Sequence, residues 1–132
     1  MHKQIFVNLP CKNLSASKAF FAALGYAFNP QFTNELGAGL ILGETLYAML
    51  LTEDFARTFT SKPLVDAKTA TEVLVCLSCE SRAEIDGLVA KALAAGGTAP
   101  RPAVDHGFMY AHGFEDLDGH IWELVHMSGM PQ

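Results

Sequence analysis

The sequence FEDLDGHIWEL at residues 114–124 decides the fold, and its first half has the composition of a tight turn. Asp116 and Asp118 have side chains that hydrogen-bond their own backbone, and Gly119 adopts positive φ without steric cost. We therefore predict that the chain reverses direction here and returns as a strand.

The second half of this stretch predicts a strand that carries one carboxylate on an apolar face. Side chains alternate along a strand, so Ile121, Glu123 and Val125 share one face. Trp122 and Leu124 share the other face. A carboxylate between two branched apolar residues is costly unless it meets a metal, a hydrogen-bond partner or water in a cavity. Glu123 is therefore a candidate functional residue, with a buried structural carboxylate as the alternative.

The composition of the chain indicates one globular domain and excludes several classes of partner. With 132 residues, half of them apolar, it is long enough to bury a core. A net charge of -5 and dispersed Lys and Arg argue against a nucleic-acid partner. No apolar run approaches the ~18 residues of a membrane helix, and the first residues lack the apolar core of a signal peptide. Three cysteines, an odd number, favour reduced thiols, so we expect a cytoplasmic protein.

The chain repeats one order of elements, strand–helix–strand–strand–strand. In the first half the predicted elements are strands at residues 4–9, 26–32, 39–42 and 46–51, with a helix at 14–24. In the second half they are strands at residues 71–79, 98–101, 108–114 and 120–127, with a helix between a capping box at 81–84 and Gly96-Gly97. Ser15 and Ser81 hold corresponding places about 66 residues apart. This duplication is the strongest architectural signal in the sequence.

We predict one domain over residues 1–132, with module one at about 1–55 and module two at about 71–127. Between them runs a connection at about 56–70. Phe55 and Phe59, four residues apart, predict one or two helical turns where it begins. A connection of this length is either a functional cover or a plain linker.

A duplicated βαβββ unit that ends in EDLDGHIWEL, residues 115–124, resembles the vicinal oxygen chelate superfamily. That group includes glyoxalase I, the bleomycin and fosfomycin resistance proteins and extradiol dioxygenases. LPCKNLSASKAFF at residues 9–21 is similar to the family's first strand and helix, and CLSCES at 76–81 occupies the matching turn of module two. The resemblance covers essentially the whole chain. It implies an α+β fold whose two modules pair into a cup-shaped incomplete barrel, and a symmetric homodimer.

The resemblance also implies four positions that hold a divalent ion such as zinc, nickel, iron or manganese, one on the first and one on the last strand of each module. Carried onto this chain, these positions fall on Phe6, Leu50 (or Met49 if the register differs by one), Leu74 and Glu123. Only Glu123 is a metal-binding residue type. One carboxylate does not make a tight divalent site, so we expect no metal cofactor. Glu72, on the face of Leu74, is a weak alternative ligand through a shifted register.

Two functions stay open. In the first, the protein binds a small, partly apolar molecule in the cup, like a resistance or sequestration protein. In the second, it is a metal-dependent lyase, isomerase or dioxygenase with Glu123 as ligand or general base. The residues predicted to contact a ligand are Phe6, Asn8, Leu50, Leu74, Tyr110, His112 and Glu123. Cys76 and Cys79 lie three apart on a predicted strand, so they point to opposite faces and predict neither a zinc nor a redox motif.

Overall fold

The computed structural model describes residues 1–128, which fall into two compact units. The first unit is Met1–Val65, and the second begins at Asp66. The boundary between them lies within the predicted connection at 56–70. No helix in the described part of the chain is both long enough and apolar enough to span a bilayer.

The first unit is a four-stranded mixed sheet with helices. Its elements are β1 (Ile5–Cys11), α1 (Leu14–Ala23), β2 (Ala27–Asn29), a 3-10 turn (Pro30–Phe32), β3 (Gly37–Ile41), β4 (Leu46–Thr52) and α2 (Glu53–Ala56). The strand order is β1-β4-β3-β2, in which β1 runs parallel to β4 and the other neighbours are antiparallel. The short helix α2 ends where the connection begins, and it contains Phe55, the first residue of the predicted helical turns.

One strand prediction in the first unit is wrong in its second half. The predicted strand at residues 26–32 ends at Asn29, and a 3-10 turn takes its place. Asn29 Oδ1 accepts a hydrogen bond from the backbone N–H of Gln31 at 2.9 Å, and Pro30 has no N–H to pair with a neighbouring strand. The side chain of Asn29 therefore ends the strand early.

The second unit repeats the same plan. Its elements are β5 (Leu74–Ser78), α3 (Arg82–Ala94), β6 (Val104–Asp105), β7 (Met109–Glu115) and β8 (Ile121–Met127). The strand order is β5-β8-β7-β6, with β5 parallel to β8 and the other pairs antiparallel. The duplicated order predicted from the sequence is thus confirmed, and each unit is an open sheet. Neither sheet closes into a barrel.

The predicted strand at 98–101 is wrong. Only Thr98 pairs, as an isolated bridge to Glu115, and the strand forms later, at β6. Pro100 and Pro102 lack the N–H that a ladder requires, so the chain between them cannot continue the pairing.

A helix covers one face of each sheet, and that face forms the core. In the first unit the core includes Leu9, Ala38, Leu40, Ala48 and Leu50 of the sheet with Phe20, Phe21 and Leu24. In the second unit it includes Val75, Phe114, Trp122 and Leu124 with Ile85, Val89 and Ala92 of α3. At the start of α3, Ser81 Oγ accepts from the N–H of Glu84 at 3.0 Å, as the capping box predicts. The Glu84 carboxylate accepts from the N–H of Glu80, one residue before the predicted donor.

Candidate functional site

The turn before β8 is held together by one carboxylate, that of Asp116. Its Oδ1 accepts from the backbone N–H groups of Asp118 and His120, each at 3.0 Å, and its Oδ2 accepts from Trp122 Nε1 at 3.0 Å. Burial raises the pKa of Asp116, and these hydrogen bonds oppose the rise. Gly119 has φ +92°, and a Cβ there would lie 2.7 Å from the backbone nitrogen of Lys68. The predicted chain reversal is therefore present, and the Asp116 carboxylate is hydrogen-bonded to groups of the turn and of β8.

Strand β8 alternates as predicted. Trp122 and Leu124 are buried against the helix side, whereas Glu123 is half-buried on the other side. We call this other side the open face of the second sheet. By strand register, its members on β5, β7 and β8 are Leu74, Cys76, Ser78, Met109, Ala111, Gly113, Glu115, Ile121, Glu123, Val125 and Met127.

Glu123 lies between Cys76 and Gly113. Cys76 of β5 is its partner in the parallel ladder, and Gly113 of β7 is its partner in the antiparallel ladder. A Cβ at Gly113 would lie 3.1 Å from Glu123 Oε2 and 2.7 Å from the carbonyl oxygen of Trp122. The missing side chain at Gly113 therefore leaves the space into which the carboxylate folds.

Cys76 was not among the predicted site residues, although its thiol lies in the electrostatic field of Glu123. Burial, and then the charge of Glu123, raise the pKa of Cys76. The thiol therefore stays protonated at neutral pH and is a poor nucleophile. The parallel pairing of β5 with β8 makes Cys76 a neighbour of Glu123, and no signal among residues close in the chain indicates that pairing.

A cavity of about 270 Å³ opens on this face. Its lining residues are Leu74, Pro100, Arg101, Pro102, Val104, Ala111, His112, Gly113, Phe114, Glu115, Ile121 and Glu123. The open face supplies much of the lining, and the proline-containing segment before β6 supplies the rest. Largely apolar residues and the two acidic residues Glu115 and Glu123 line the cavity together, which is the composition of a small-molecule site.

Tyr110 and His112 point away from Glu123. Tyr110 pairs with His126 and His112 pairs with Leu124, so both belong to the helix side of the sheet. The Tyr110 hydroxyl donates to Asp86 of α3 at 2.5 Å. The hairpin register puts Tyr110 on the face opposite Glu123, outside the cavity lining, and its contact with a ligand stays a prediction. His112 does line the cavity, and its Nε2 lies 3.1 Å from the Arg101 carbonyl oxygen.

In the first unit the strand register places the residues predicted to contact a ligand on opposite faces of the sheet. Leu9 pairs with Leu50 in the core, where Leu50 is 1% exposed, and its contact with a ligand stays a prediction. Its neighbour Met49 pairs with Asn8 on the opposite, open face of the first sheet. Phe6 shares this open face, and its ring stacks on that of Tyr47 with centroids 5.0 Å apart.

The two open faces match position by position. Asn8, Met49 and Gly39 are neighbours in the first sheet as Cys76, Glu123 and Gly113 are in the second. Met49 therefore occupies the place that Glu123 occupies in the second unit. A thioether is a poor ligand for the hard or borderline divalent ions that the resemblance implies.

The donors at these positions do not fit a divalent metal. Among Phe6, Asn8, Met49, Leu74, Cys76 and Glu123, only the last two are strong metal-binding types. Glu72, the weak alternative, lies before β5 and does not line the cavity. Within residues 1–128, one set of three donor atoms lies within 4.8 Å: Asp116, Asp118 and His120. Three hydrogen bonds of the turn already occupy the Asp116 carboxylate, so local structure accounts for this cluster.

Solved structures of the same fold cover nearly the whole chain. Hypothetical protein SA1046 from S. aureus has 26% identity and a TM-score of 0.80, over 95% of this chain and 94% of that one. A glyoxalase-related enzyme from Fulvimarina pelagi has 22% identity and a TM-score of 0.79, over 98% and 92%. A glyoxalase/bleomycin resistance protein/dioxygenase family enzyme from Burkholderia phytofirmans PsJN has 16% identity and a TM-score of 0.77, over 92% and 96%. No protein-family model and no curated protein matches the chain.

These similarities show the fold. The chain has the fold of the glyoxalase/bleomycin resistance proteins, and the α+β fold predicted from the duplicated sequence is confirmed. This scaffold carries many chemistries, so function has to be argued from the site itself.

Proposed function

We propose that the protein binds a small, partly apolar molecule in the cavity of the second unit, with Glu123 as its polar anchor. The observation that carries this proposal is the position of the Glu123 carboxylate: it lies over Gly113 in a cavity of about 270 Å³ whose walls are largely apolar. Small-molecule sites combine such walls with a few placed polar groups. The names of the structural neighbours, glyoxalase and bleomycin resistance proteins, support a small-molecule ligand.

The donor chemistry favours binding over the metal-dependent alternative. A lyase, isomerase or dioxygenase of the chelating type needs several protein ligands around its ion. Cys76 and Glu123 are the two strong donor types at the corresponding positions. The predicted contacts of Phe6 and Asn8 with a ligand, the homodimer and the cytoplasmic location stay predictions.

A cavity-filling substitution tests the proposal. We expect Ala111→Phe to fill the cavity, because Ala111 lines it and lies on the open face. Some fragments will shift the amide signals of Gly113 and Ile121 in the parent protein. These fragments should bind Ala111→Phe at least about tenfold more weakly, because the phenyl ring occupies their space.

Ala90→Phe is the matched control, since Ala90 is exposed on α3 and does not line the cavity. Binding of the same fragments should survive this change. Equal binding to the parent and to Ala111→Phe would contradict the proposal, as would a fragment library that moves no cavity amide.

A further inference from the structure

The formal charge of the cavity is unbalanced. Its lining contains two carboxylates, Glu115 and Glu123, and one guanidinium, Arg101. With His112 counted as neutral, the sum is -1. The two carboxylates share the open face, because Glu115 pairs with Ile121 and the next position of that face pairs Gly113 with Glu123. Cross-strand diagonal neighbours lie roughly 7–8 Å apart, so both carboxylates can approach one small ligand.

Arg101 does not neutralise these carboxylates. Within residues 1–128, no ion pair joins it to Glu115 or Glu123. Arg101 is exposed on the segment before β6, and its carbonyl oxygen is the group that contacts His112.

We propose that the ligand of this cavity is a small organic cation, with an amine or amidine on an apolar body. This inference rests on the proposed binding function and names its ligand class. An ammonium group would donate charge-assisted hydrogen bonds to Glu123, and to Glu115 where its length allows. The apolar body would lie against Leu74, Val104 and Ile121.

A metal ion and an organic anion fit the same cavity less well. A divalent ion needs several converging donor atoms, and in the described chain the set of three that converges lies in the turn at Asp116, Asp118 and His120. Glu115 and Glu123 do not form such a set with a third donor. An anionic ligand would bring like charge to two carboxylates at close range, which is unfavourable. An organic cation needs only one or two carboxylates and apolar walls.

Three ring compounds of matched shape separate these possibilities: benzylammonium, benzyl alcohol and benzoate. A cavity of about 150 Å³ holds benzene, so one ring suits this volume. Each compound is titrated into the full-length, ¹⁵N-labelled protein at low salt, and the amide shifts of Gly113, Ile121 and Glu123 are followed. We expect benzylammonium to bind at least about tenfold more tightly than benzyl alcohol, and benzoate more weakly than either.

Charge-removing variants test which carboxylate is responsible. Glu123→Gln should weaken benzylammonium roughly tenfold and leave benzyl alcohol within about twofold, since the amide keeps the size of the side chain. Glu115→Gln should give a smaller loss in the same direction. Glu72→Gln removes one charge outside the cavity and should change neither affinity.

The outcomes distinguish this inference from the proposed function. If benzyl alcohol or benzoate binds as tightly as benzylammonium at the cavity amides, the cation proposal is overturned and small-molecule binding stands. If Glu123→Gln and Glu115→Gln both leave benzylammonium binding unchanged, the cation proposal is overturned as well. If none of the three compounds moves a cavity amide, the cation proposal is overturned, and the fragment library decides whether the cavity binds small molecules at all.

Discussion

Gly113 shows how one absent side chain shapes the site. The glycine keeps an ordinary backbone conformation, so its role is space and not a positive φ. The space above it holds the Glu123 carboxylate, and the carbonyl oxygen of Trp122 borders the same space. A methyl group there would press against two oxygens, one on a side chain and one on the backbone.

We predict that Gly113→Ala destabilises the protein and displaces Glu123. The backbone oxygen at 2.7 Å cannot move without disturbing the ladder, so we expect a loss of about 1–3 kcal/mol in the free energy of unfolding. Urea unfolding measures this loss. Gly87→Ala is the control: a Cβ at Gly87 meets nothing within 4 Å, and alanine in a helix interior should stabilise by about 0.5–1 kcal/mol. Equal effects of the two substitutions would contradict this account of Gly113.

Among the elements, β6 is the least supported strand, because it has two residues and one neighbour, β7. A side-chain network ties it to α3. Arg82 makes a bidentate ion pair with Asp105, with N–O distances of 2.6 and 2.9 Å, and also donates to the Gly107 carbonyl at 3.2 Å. The guanidinium lies 5.0 Å from the centre of the Tyr110 ring. Since Val104 of β6 lines the cavity, Arg82 holds part of the cavity wall.

We predict that Arg82→Gln loosens this wall. Hydrogen exchange at His106 and Gly107, whose N–H groups bond to Met109 O and Asp105 Oδ1, should become severalfold faster. Exchange within α3 should change little. Arg57→Gln removes a more exposed Arg–Asp ion pair, with Asp54 in the first unit, and it should leave His106 and Gly107 unaffected. Unchanged exchange at both amides in Arg82→Gln would show that the network does not hold the wall.

The same ion pair has a defined pH dependence. Hydrogen bonding from Arg82 holds the pKa of the Asp105 carboxyl below its ordinary value of 3.8. Its contribution to stability is therefore present above pH 3.8 and is lost as the pH falls through the lower folded pKa. The difference in stability between the parent and Arg82→Gln should close in that acidic range.

At the scale of the molecule, the two units share one register but differ in chemistry. The open face of the first sheet has an aromatic cluster, in which Phe6 stacks on Tyr47 and Phe32 packs edge-on against both. The open face of the second sheet has carboxylates. Duplication of one βαβββ plan has thus produced an apolar and an acidic version of the same surface.

We expect added zinc, nickel, iron(II) or manganese to shift the melting temperature by less than about 1 °C, because a tightly bound ion would stabilise the fold by mass action and shift it by several degrees. The measurement uses protein purified without chelators, with elemental analysis beforehand. A stoichiometric metal would contradict this expectation, and a shift that His120→Ala abolishes would assign the ion to the turn. A shift abolished by Glu123→Gln would restore the metal-dependent alternative.

The sequence alone determined the fold class, because the signals for it are local. The Asp-Gly turn, the alternation around Glu123, the capping box at Ser81 and the repeated order of elements each depend on residues close in the chain. The breaks at Pro30, Pro100 and Pro102 are local as well, because the missing N–H groups of these prolines interrupt two of the predicted strands.

Only the tertiary structure decided which residues share a site. A shift of one residue in strand register moves a side chain to the other face, and register depends on partners far away in the chain. Leu50 is therefore core while Met49 is open, and Tyr110 faces α3 instead of Glu123. The neighbours of Glu123, which are Cys76 and Gly113, come from two other strands. Turn chemistry near Glu123 determined that a strand begins there, and long-range pairing determined what surrounds its carboxylate.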